Sequence, residues 1–415
     1  MTAGPRPSPF ALYWTSATAS YLGDGVRLVA VPLLAATLTA RPAGIALVSA
    51  AAGVPWLLFG LVAGVAADRL RRDRLMTSLQ AVRGCLGLAL VVGVAGHHLG
   101  IGTLAALLFL LSTCEVFYDV ASHAVLPELV PEDALQRANG RLVTAEVVTF
   151  EAAGPAIGGL LFAVAAASPF AVDTVSFFLS AALLLALTRR SSVPVPVRTP
   201  STLRADLRAG LTWFTRQPLV RSLTALSVAV NLAAGGFYAL LVLLARDALD
   251  LGSVGYGLLI AASTVGSVAA GLLAERLDGA ARRRTACLVA PVVALGCLAL
   301  PAAVPVVVAA VAGMIGFGFT VTVFNVVAMT LRQIVTPNDM LGRVTAVHRV
   351  LCWGALPVGA VLAGIAGDAL GVRAGVGICV GVGAVLAAPA LVMATRVPSA
   401  AYSPDTPAAL ETPAS

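Results

Sequence analysis

The stretch Gly64-Val65-Ala66-Ala67-Asp68-Arg69-Leu70-Arg71-Arg72-Asp73-Arg74 separates two long apolar runs by one short charged loop. A weaker copy, Gly271-Leu272-Leu273-Ala274-Glu275-Arg276-Leu277, follows 207 positions later, counted from Gly64 to Gly271. A second pair of similar stretches, 131–137 and 337–343, is related by an offset of 206 positions. Two pairs of landmarks at nearly one offset predict that the chain consists of two similar halves of about 200 residues each.

The composition predicts an integral membrane protein. Hydrophobic residues make up 59% of the 415 residues and charged residues only 11%, whereas a soluble domain carries about 25% charged residues. All 27 basic residues are arginines, and the formal net charge is +7. Because these arginines lie in short loops between apolar runs, they indicate membrane topology, and we expect no nucleic-acid partner.

Twelve apolar runs are long enough to cross a bilayer as helices, six in each half. We therefore predict an all-α membrane fold of two pseudo-symmetric six-helix bundles. Between the halves, a segment rich in Pro, Val and Ser is followed by leucines at helical spacing, which predicts an amphipathic helix on the inner membrane surface. The predicted segments are a disordered N-terminus (1–9), a first bundle (10–188), a cytoplasmic linker (189–219), a second bundle (220–396) and a disordered tail (397–415).

The arginines also predict the orientation of the chain. With a cytoplasmic N-terminus, most loop arginines fall on the inner side and few on the outer side. The positive-inside rule then places both termini in the cytoplasm. We expect a multi-pass protein of the cell (inner, cytoplasmic) membrane.

Ionisable residues inside membrane spans are costly, so each is a candidate functional group. Asp24 and Arg27 are one turn apart on span 1 and form either a self-neutralising pair or a proton site. Glu115 and Asp119 are four residues apart on span 4, so both carboxyl groups lie on one face. Two close carboxyl groups rarely both ionise, which makes one of them a candidate proton carrier. We favour Glu115 because Asp119 is nearer the inner end of the span.

Span 5 adds a third candidate acid. Glu146 and Glu151 are five residues apart and are therefore expected on different faces of an α-helix. Glu151 is deeper and adjoins Gly154-Pro155-Ala156-Ile157-Gly158-Gly159, a string typical of a bendable, closely packed helix. By chain order, Asp24, Glu115 and Glu151 fall at a similar depth, and we rank them in that order for proton binding.

Several classes of function are not supported by the sequence. The phosphate-binding pattern G-x-x-x-x-G-K is absent, and no lysine is available to complete one. The six cysteines lie in apolar runs without C-x-x-C spacing, as expected of small buried side chains. We expect neither an enzyme nor a metal site, and no cofactor apart from a proton gradient as the source of energy.

The twelve spans, the repeat and the charged loop together resemble the major facilitator superfamily. Its loop motif, roughly G-x-x-x-D-R-x-G-R-R, is similar to the stretch quoted first, although the inner glycine is missing and the basic cluster is shifted. An acid at a helix end can engage a neighbouring helix in one conformation and release it in another. The resemblance therefore implies a conformational switch, and the alternative is that these residues only fix the topology. The candidate residues are Gly64, Asp68, Arg69, Arg71 and Arg72, with Glu275 and Arg276 as the weaker copy.

Within that superfamily, three stretches resemble the exporter branch that includes enterobactin exporters and macrolide-efflux proteins. They are 20–24 (SYLGD), 126–131 (LPELVP) together with 138–140 (ANG), and 341–344 (LGRV). The glycine-proline string of span 5 is similar to the end of a motif of drug/proton antiporters, with Phe150 in place of its upstream glycine. This likeness adds Gly154, Pro155, Gly158 and Gly159 to the conformational candidates and implies export; simple helix packing is the alternative.

The resembled fold also implies where substrate binds, because spans 1, 4, 7 and 10 line its central cavity. Asn231 and Tyr238 on span 7, and Phe324 and Asn325 on span 10, are then candidates for substrate contact. The alternative for each is a hydrogen bond or packing contact between helices. Many drug antiporters carry an arginine in span 4, and this chain has none there.

We therefore expect a secondary transporter that exports a small amphiphilic compound, such as a drug, siderophore or natural product, by proton antiport with alternating access. Its expected partners are the small-molecule substrate, protons and the lipid bilayer, without an obligate protein partner. One alternative is a proton-coupled importer of the same fold. Another is a non-transporting receptor or a lipid-moving protein on the same scaffold.

Overall fold

The computed structural model describes residues 8–190, 203–273, 279–398 and 402. Twelve helical segments in these residues are long and apolar enough to cross a membrane, so the all-α membrane fold is confirmed. The helices are α1 (Pro9–Leu38), α2 (Pro42–Arg69), α3 (Arg72–Ala95), α4 (Ile101–Leu129), α5 (Leu135–Glu146), α6 (Gly154–Val164), α7 (Ser168–Arg190), α8 (Leu203–Arg216), α9 (Pro218–Asp247), α10 (Ser253–Leu273), α11 (Ala280–Ala303), α12 (Val307–Val335), α13 (Asn338–Leu370) and α14 (Val372–Arg396). Span 5 consists of α5, a π-helical segment and α6, and α8 precedes span 7.

The first helix begins slightly earlier than predicted. Pro9 occupies its first turn, where a missing N–H costs nothing, and the Ser8 hydroxyl accepts a hydrogen bond from the Ala11 N–H at 3.1 Å. A capping residue and a proline in this order start a helix. Two residues of the segment predicted to be disordered, Ser8 and Pro9, are therefore the cap and the first residue of α1, and residues 1–7 lie outside the described residues.

Span 5 is not a continuous α-helix. The segment Val147–Ala153 is π-helical, and the N–H of Gly154 bonds the carbonyl of Thr149, five residues back. Pro155 follows at once and has no N–H to donate, which weakens the regular ladder at this point. An i→i+5 winding brings residues five apart towards one side, so the prediction of different faces for Glu146 and Glu151 is wrong.

The chain divides into two compact units. Unit 1 comprises residues 1–200 and 245–261, and unit 2 comprises residues 201–244 and 262–415. In unit 1, α1 packs on α6 and α7, α2 packs on α4, and α3 packs on α4 and α7. In unit 2, α11 packs on α12 and α14, and α13 packs on α14 and α8.

Glycines allow the closest helix contacts. A Cβ added to Gly154 would collide with the backbone of Gly25, 2.6 Å from its Cα, so α6 and α1 touch backbone to backbone. In unit 2, a Cβ on Gly359 of α13 would likewise meet the carbonyl of Leu232 on α9. The same type of glycine-mediated backbone contact therefore joins spans 1 and 5 in the first half and spans 7 and 11 in the second.

Helix α8 is fixed to unit 2. The backbone of Gly210 lies against Arg343 at the start of α13. Phe214 is buried in a small apolar cluster with Val220, Val344 and Val347. Placement of α8 on the inner membrane surface stays a prediction.

Candidate functional site

Five ionisable side chains from four helices meet inside unit 1. Asp24 and Arg27 come from α1, Arg83 from α3, Glu115 from α4 and Asp173 from α7. We call this group the ion-pair cluster. Each member lies within a membrane span, where ionisable groups are costly and therefore candidates for function.

Asp24 is the most strongly held carboxylate of the cluster. Its Oδ1 accepts from Arg27 Nη2 at 2.6 Å and from Arg83 Nη2 at 2.5 Å. Its Oδ2 accepts from the Ser20 hydroxyl at 3.3 Å. Hydrogen bonds of this length between a guanidinium group and a carboxyl group are among the strong ones in proteins. Asp24 is therefore the anchor that joins α1 to α3.

Asp173 adds the contribution of α7. Its Oδ2 lies 3.0 Å from Arg27 Nε, and only 2% of its side chain is exposed. A Cβ at position 23 would overlap both Ser176 and Asp173, so Gly23 makes room for α7 beside the cluster. The neighbouring residues Gly23 and Asp24 thus act together: one admits α7 and the other supplies a charge.

Glu115 is the least tightly held of the three acids. Its Oε2 lies 3.2 Å from Arg27 Nη2 and 3.6 Å from Arg83 Nη2. Its side chain is 31% exposed, against 11% for Asp24 and 2% for Asp173. Glu115 is the acid of the cluster with the best access to water.

A shell of neutral groups supports Arg83, which has no exposed surface. Its Nη1 donates to Gln80 Oε1 at 3.2 Å, and its guanidinium carbon lies 4.1 Å from the centre of the Phe177 ring. Gln80 Nε2 in turn donates to the hydroxyls of Ser20 and Ser180 at 3.0 and 2.9 Å. Hydrogen bonds and the ring face together keep a charged group stable in this interior.

Sequence reasoning missed Arg83, Gln80 and Asp173. The signal was available, because both charges interrupt apolar runs as plainly as Asp24 does. Span 4 itself has no arginine, and a guanidinium beside Glu115 comes from Arg83 of the neighbouring span 3, 3.6 Å away.

The other two predicted acids lie outside the ion-pair cluster. Asp119 Oδ1 is 3.5 Å from His123 Nε2, one turn along α4. Glu151 lies in the π-helical part of span 5 and is half-buried. Of the five residues predicted for proton coupling, Asp24, Arg27 and Glu115 are thus brought together.

In unit 2, three of the predicted substrate contacts share one small cavity. Asn231 of α9 and Phe324 and Asn325 of α12 line a space of about 70 Å³, together with residues of α11. The fourth, Tyr238, contacts the ring of Phe317, which also lines the cavity, with ring centroids 6.2 Å apart. Asn231 Nδ2 donates one of its two N–H groups to the Ser227 carbonyl at 2.8 Å, so its second N–H and its amide oxygen are the groups it can offer to a ligand.

The charged loop between α2 and α3 is fixed by two ion pairs. Arg71 donates to the buried Asp73 at 2.8 Å, and this hydrogen bonding raises the pKa of the Arg71 guanidinium. Arg72 pairs with Glu128 at the end of α4 and also donates to the carbonyls of Ala67 and Ala124, each at 3.1 Å. The loop therefore ties the ends of α2, α3 and α4 together.

The structure gives fewer contacts for the other residues that were predicted to form the conformational switch. A Cβ on Gly64 would meet nothing within 4 Å, whereas Gly158 and Gly159 approach the backbones of Val26 and Ser253. Arg69 is exposed. The Asp68 side chain and both residues of the weaker copy, Glu275 and Arg276, lie outside the described residues.

Across the described ranges no group of three or more His, Cys, Asp or Glu is placed to hold a metal ion.

The charges of the ion-pair cluster do not balance. Three carboxyl groups face two guanidinium groups, so full ionisation leaves one net negative charge inside the membrane span. An uncompensated buried charge is costly and is relieved by a proton or a cation. The cluster is thus chemically able to take up one positive charge.

Comparison with known proteins gives a consistent family. A family model described as "Transmembrane secretion effector" matches residues 3–413. The multidrug efflux pump Tap of Mycolicibacterium fortuitum is 28% identical over 391 residues, covering 89% of this chain and 91% of that protein. Macrolide efflux protein A of Streptococcus pyogenes is 24% identical over 155 residues, covering 37% and 38%. A bacterial homologue of the human lysosomal transporter Spinster superposes with a TM-score of 0.75 at 14% identity, covering 94% of this chain and 98% of that one.

Proposed function

This chain belongs to the transmembrane secretion effector family of the major facilitator superfamily, and we propose that it exports a small amphiphilic compound in exchange for protons. The observation that carries this proposal is the charge imbalance of the ion-pair cluster. A buried site with one surplus carboxyl group can hold a proton in one state and lose it in another. That is the chemical requirement for proton coupling.

Glu115 is the proton carrier in this proposal. Asp24 and Asp173 have the shorter contacts with the guanidinium groups and neutralise them, which leaves Glu115 as the surplus acid. Its greater exposure gives the proton a path to and from water. Asp119 and Glu151 are assigned to that path rather than to the coupling site, because they lie outside the cluster.

Exchange follows from a single negative charge that has two possible partners. A proton on Glu115 leaves the cluster neutral, and a cationic group of the substrate near the ionised Glu115 does the same. Both cannot be favourable at once, because the second positive charge would find no partner. Protonation therefore releases a cationic amphiphile, and binding of that compound releases a proton.

A small cavity of unit 2 is a second candidate for ligand contact, considered independently of the ion-pair cluster. It is bordered by the amides of Asn231 and Asn325 and by the ring of Phe324. At about 70 Å³ it has room for a small apolar group but not for a whole drug-sized molecule, which needs about 300 Å³ or more. Tyr238 supports this cavity through Phe317 rather than by touching the ligand.

Alternating access requires segments that change conformation, and two are assigned. The π-helical segment with Pro155 gives span 5 a point of bending beside Gly25. The ion pairs of Arg71 and Arg72 close the inner ends of α2, α3 and α4 in the present conformation. Export is supported by the relatives, of which several are named efflux proteins. The proposal that both termini are cytoplasmic rests on the distribution of arginines in the loops.

The test uses purified full-length protein in proteoliposomes with a pH-sensitive dye inside. A panel of cationic and neutral amphiphiles is added, and proton movement is recorded for the wild type and Glu115→Gln. Compound-triggered proton movement in the wild type and its loss in Glu115→Gln would support the assignment. Asp133→Asn, at an exposed position in the loop before α5, is the matched control and should behave like the wild type.

The direction of transport is tested in the same vesicles. An interior that is acidic relative to the bath should drive accumulation of the compound in vesicles whose protein is oriented inside out. Undiminished proton movement in Glu115→Gln would reject this carboxyl as the coupling group. Accumulation in the direction of the proton flow would favour a proton-coupled importer instead.

A further inference from the structure

Four side chains of unit 1 form a closed ring of hydrogen bonds. Arg83 donates through Nη2 to Asp24 Oδ1 at 2.5 Å and through Nη1 to Gln80 Oε1 at 3.2 Å. Gln80 Nε2 donates to the Ser20 hydroxyl at 3.0 Å, and Ser20 donates to Asp24 Oδ2 at 3.3 Å, which closes the ring. The residues Arg83, Gln80 and Ser20 are at most 1% exposed. The ring therefore lies away from water, next to Glu115 but without including it.

The amide of Gln80 satisfies all its neighbours in one orientation. Its Nε2 faces two hydroxyls, those of Ser20 and Ser180 at 3.0 and 2.9 Å, and its Oε1 faces the guanidinium group of Arg83. A guanidinium group can only donate hydrogen bonds, so the reverse orientation would place N–H groups against N–H groups. Ser20 lies on α1 and Ser180 on α7, so two other helices fix the amide. Gln80 therefore presents its oxygen to Arg83 from a fixed position.

The oxygen of Gln80 determines where Arg83 points. The guanidinium group is planar, and two of its nitrogens are held at the same time, Nη1 by Gln80 and Nη2 by Asp24. In this orientation Arg83 Nη2 is 3.6 Å from Glu115 Oε2, which is beyond hydrogen-bond distance. The ring thus commits Arg83 to Asp24 and keeps it from pairing closely with Glu115.

Few other charges can act on Glu115. Helix α2 packs on α4, and it contains no ionisable residue over positions 42–67. Asp173 of α7 reaches the cluster through Arg27. Glu146 of α5 interacts with Asp119 and His123. The charged groups that face Glu115 from its own and the neighbouring helices are Arg27, Asp24, Arg83 and Asp119. A neutral side chain, Gln80, sets the position of one of them, Arg83.

We propose that Gln80 is a positioning residue of the coupling site: by holding Arg83 on Asp24, it leaves Glu115 as the carboxyl group that takes up the proton. Without the oxygen of Gln80, Arg83 Nη1 is a buried donor that has lost its acceptor, which is costly. The guanidinium group then turns towards Glu115 Oε2, 3.6 Å from its Nη2. A closer positive charge favours the ionised carboxylate, so Glu115 holds its proton less firmly. This inference rests on the proposed role of Glu115 and adds the residue that assigns that role to it.

The experiment follows the protonation of Glu115 directly and needs no transported compound. Infrared difference spectra of the purified full-length protein are recorded while the pH is changed. The carboxylic-acid band that is present in the wild type and absent in Glu115→Gln belongs to Glu115. Its intensity against pH gives a midpoint for the wild type and for each variant.

Two substitutions open the ring at Gln80. Gln80→Met keeps the length of the side chain and removes its hydrogen-bonding groups. Gln80→Asn keeps the amide but is one methylene shorter, so it cannot reach Arg83 and both serines together. In both variants we expect the midpoint of the Glu115 band to lie at a lower pH than in the wild type.

Met76→Ala is the control for a general loosening of α3. Met76 lies one turn before Gln80, has no exposed surface and packs in an apolar cluster. Its truncation should lower the unfolding temperature and leave the midpoint of the Glu115 band unchanged. A role of Gln80 in stability alone would likewise change the unfolding temperature and not the midpoint.

The outcomes separate this inference from the proposed function. A wild-type midpoint in both Gln80 variants, or an equal displacement in Met76→Ala, would overturn the role of Gln80 and leave that of Glu115 standing. If Glu115→Gln removes no titrating band from the wild-type spectrum, Glu115 is not the proton carrier and both proposals fail.

Discussion

Arg83 of α3 and Asp24 of α1 form a 2.5 Å ion pair in which the arginine has no exposed surface at all. A charge so fully removed from water is tolerated only with a close partner and further hydrogen bonds. Asp24 is the partner, and Gln80 and the Phe177 ring complete the surroundings. The pair thus joins α3 to α1 at the centre of the ion-pair cluster, and the proposed role of Glu115 as the surplus acid rests on it.

The proposed competition between proton and substrate predicts a pH dependence of binding. Only the ionised Glu115 attracts a cationic amphiphile, so affinity should rise as the pH is raised through the titration of this group. In Glu115→Gln two carboxyl groups face two guanidinium groups, so no surplus carboxyl group remains, and affinity should be weaker and should vary less with pH. Fluorescence titration of the purified protein at a series of pH values measures this; an equally steep profile in the variant would contradict it.

Removal of Arg83 predicts a large loss of stability that a second change repairs. Arg83→Gln leaves three carboxyl groups around Arg27, and breaking a buried pair of this kind costs about 3–5 kcal/mol. Adding Asp24→Asn restores the wild-type net charge of the cluster. The double variant should therefore unfold at a higher temperature than Arg83→Gln alone. A double variant no more stable than the single one would show that packing, not charge, sets the loss.

Substitution by alanine should change the stability of the protein in opposite directions at two glycines of the predicted switch. Gly154→Ala introduces a Cβ against the backbone of Gly25 and should cost about 1–3 kcal/mol through overpacking. Gly64→Ala meets nothing within 4 Å and should stabilise α2 by about 0.5–1 kcal/mol through helix propensity. Thermal unfolding in detergent compares the two. Equal unfolding midpoints of the two variants would contradict a direct backbone contact between α1 and α6.

The contacts of Arg72 predict that lysine cannot replace it. Its guanidinium reaches Glu128 and two main-chain carbonyls at once, whereas an ammonium group is a single point of charge. Arg72→Lys should leave at least one carbonyl without its partner and lower stability by about 1–3 kcal/mol. Arg74→Lys, at an exposed position in the same turn, should have no effect. A similar loss in both variants would reject the specific role of Arg72.

Much of the fold followed from the sequence because spans in a membrane obey a simple rule of length and hydropathy. The superfamily followed from the repeat and the charged loop, and the family model agrees with it. The contact between Asp24 and Arg27 was predictable because two residues three positions apart on one helix are neighbours on its surface. Glu115 was predicted for a different reason, as one of two acids on α4.

The remainder of the site depended on packing between helices, which spacing does not reveal. Nothing local to Arg83 or Asp173 indicates that α3 and α7 bring them to α1; a glycine at position 23 is required for that approach. Backbone winding was equally hidden. The π-helical segment before Pro155 changes which residues of span 5 share a side, and a regular helix was the natural assumption.

The order in which the ion-pair cluster is synthesised has a consequence for biogenesis. After α1 the nascent chain carries a self-neutralised Asp24 and Arg27, α3 adds one positive charge with Arg83, and α4 restores neutrality with Glu115. In a chain inserted as far as α4, the cluster therefore holds two carboxyl groups and two guanidinium groups. The last member, Asp173 on α7, adds a third carboxyl group and pairs with Arg27. The surplus carboxyl group of the cluster is therefore present only after the sixth span has been inserted.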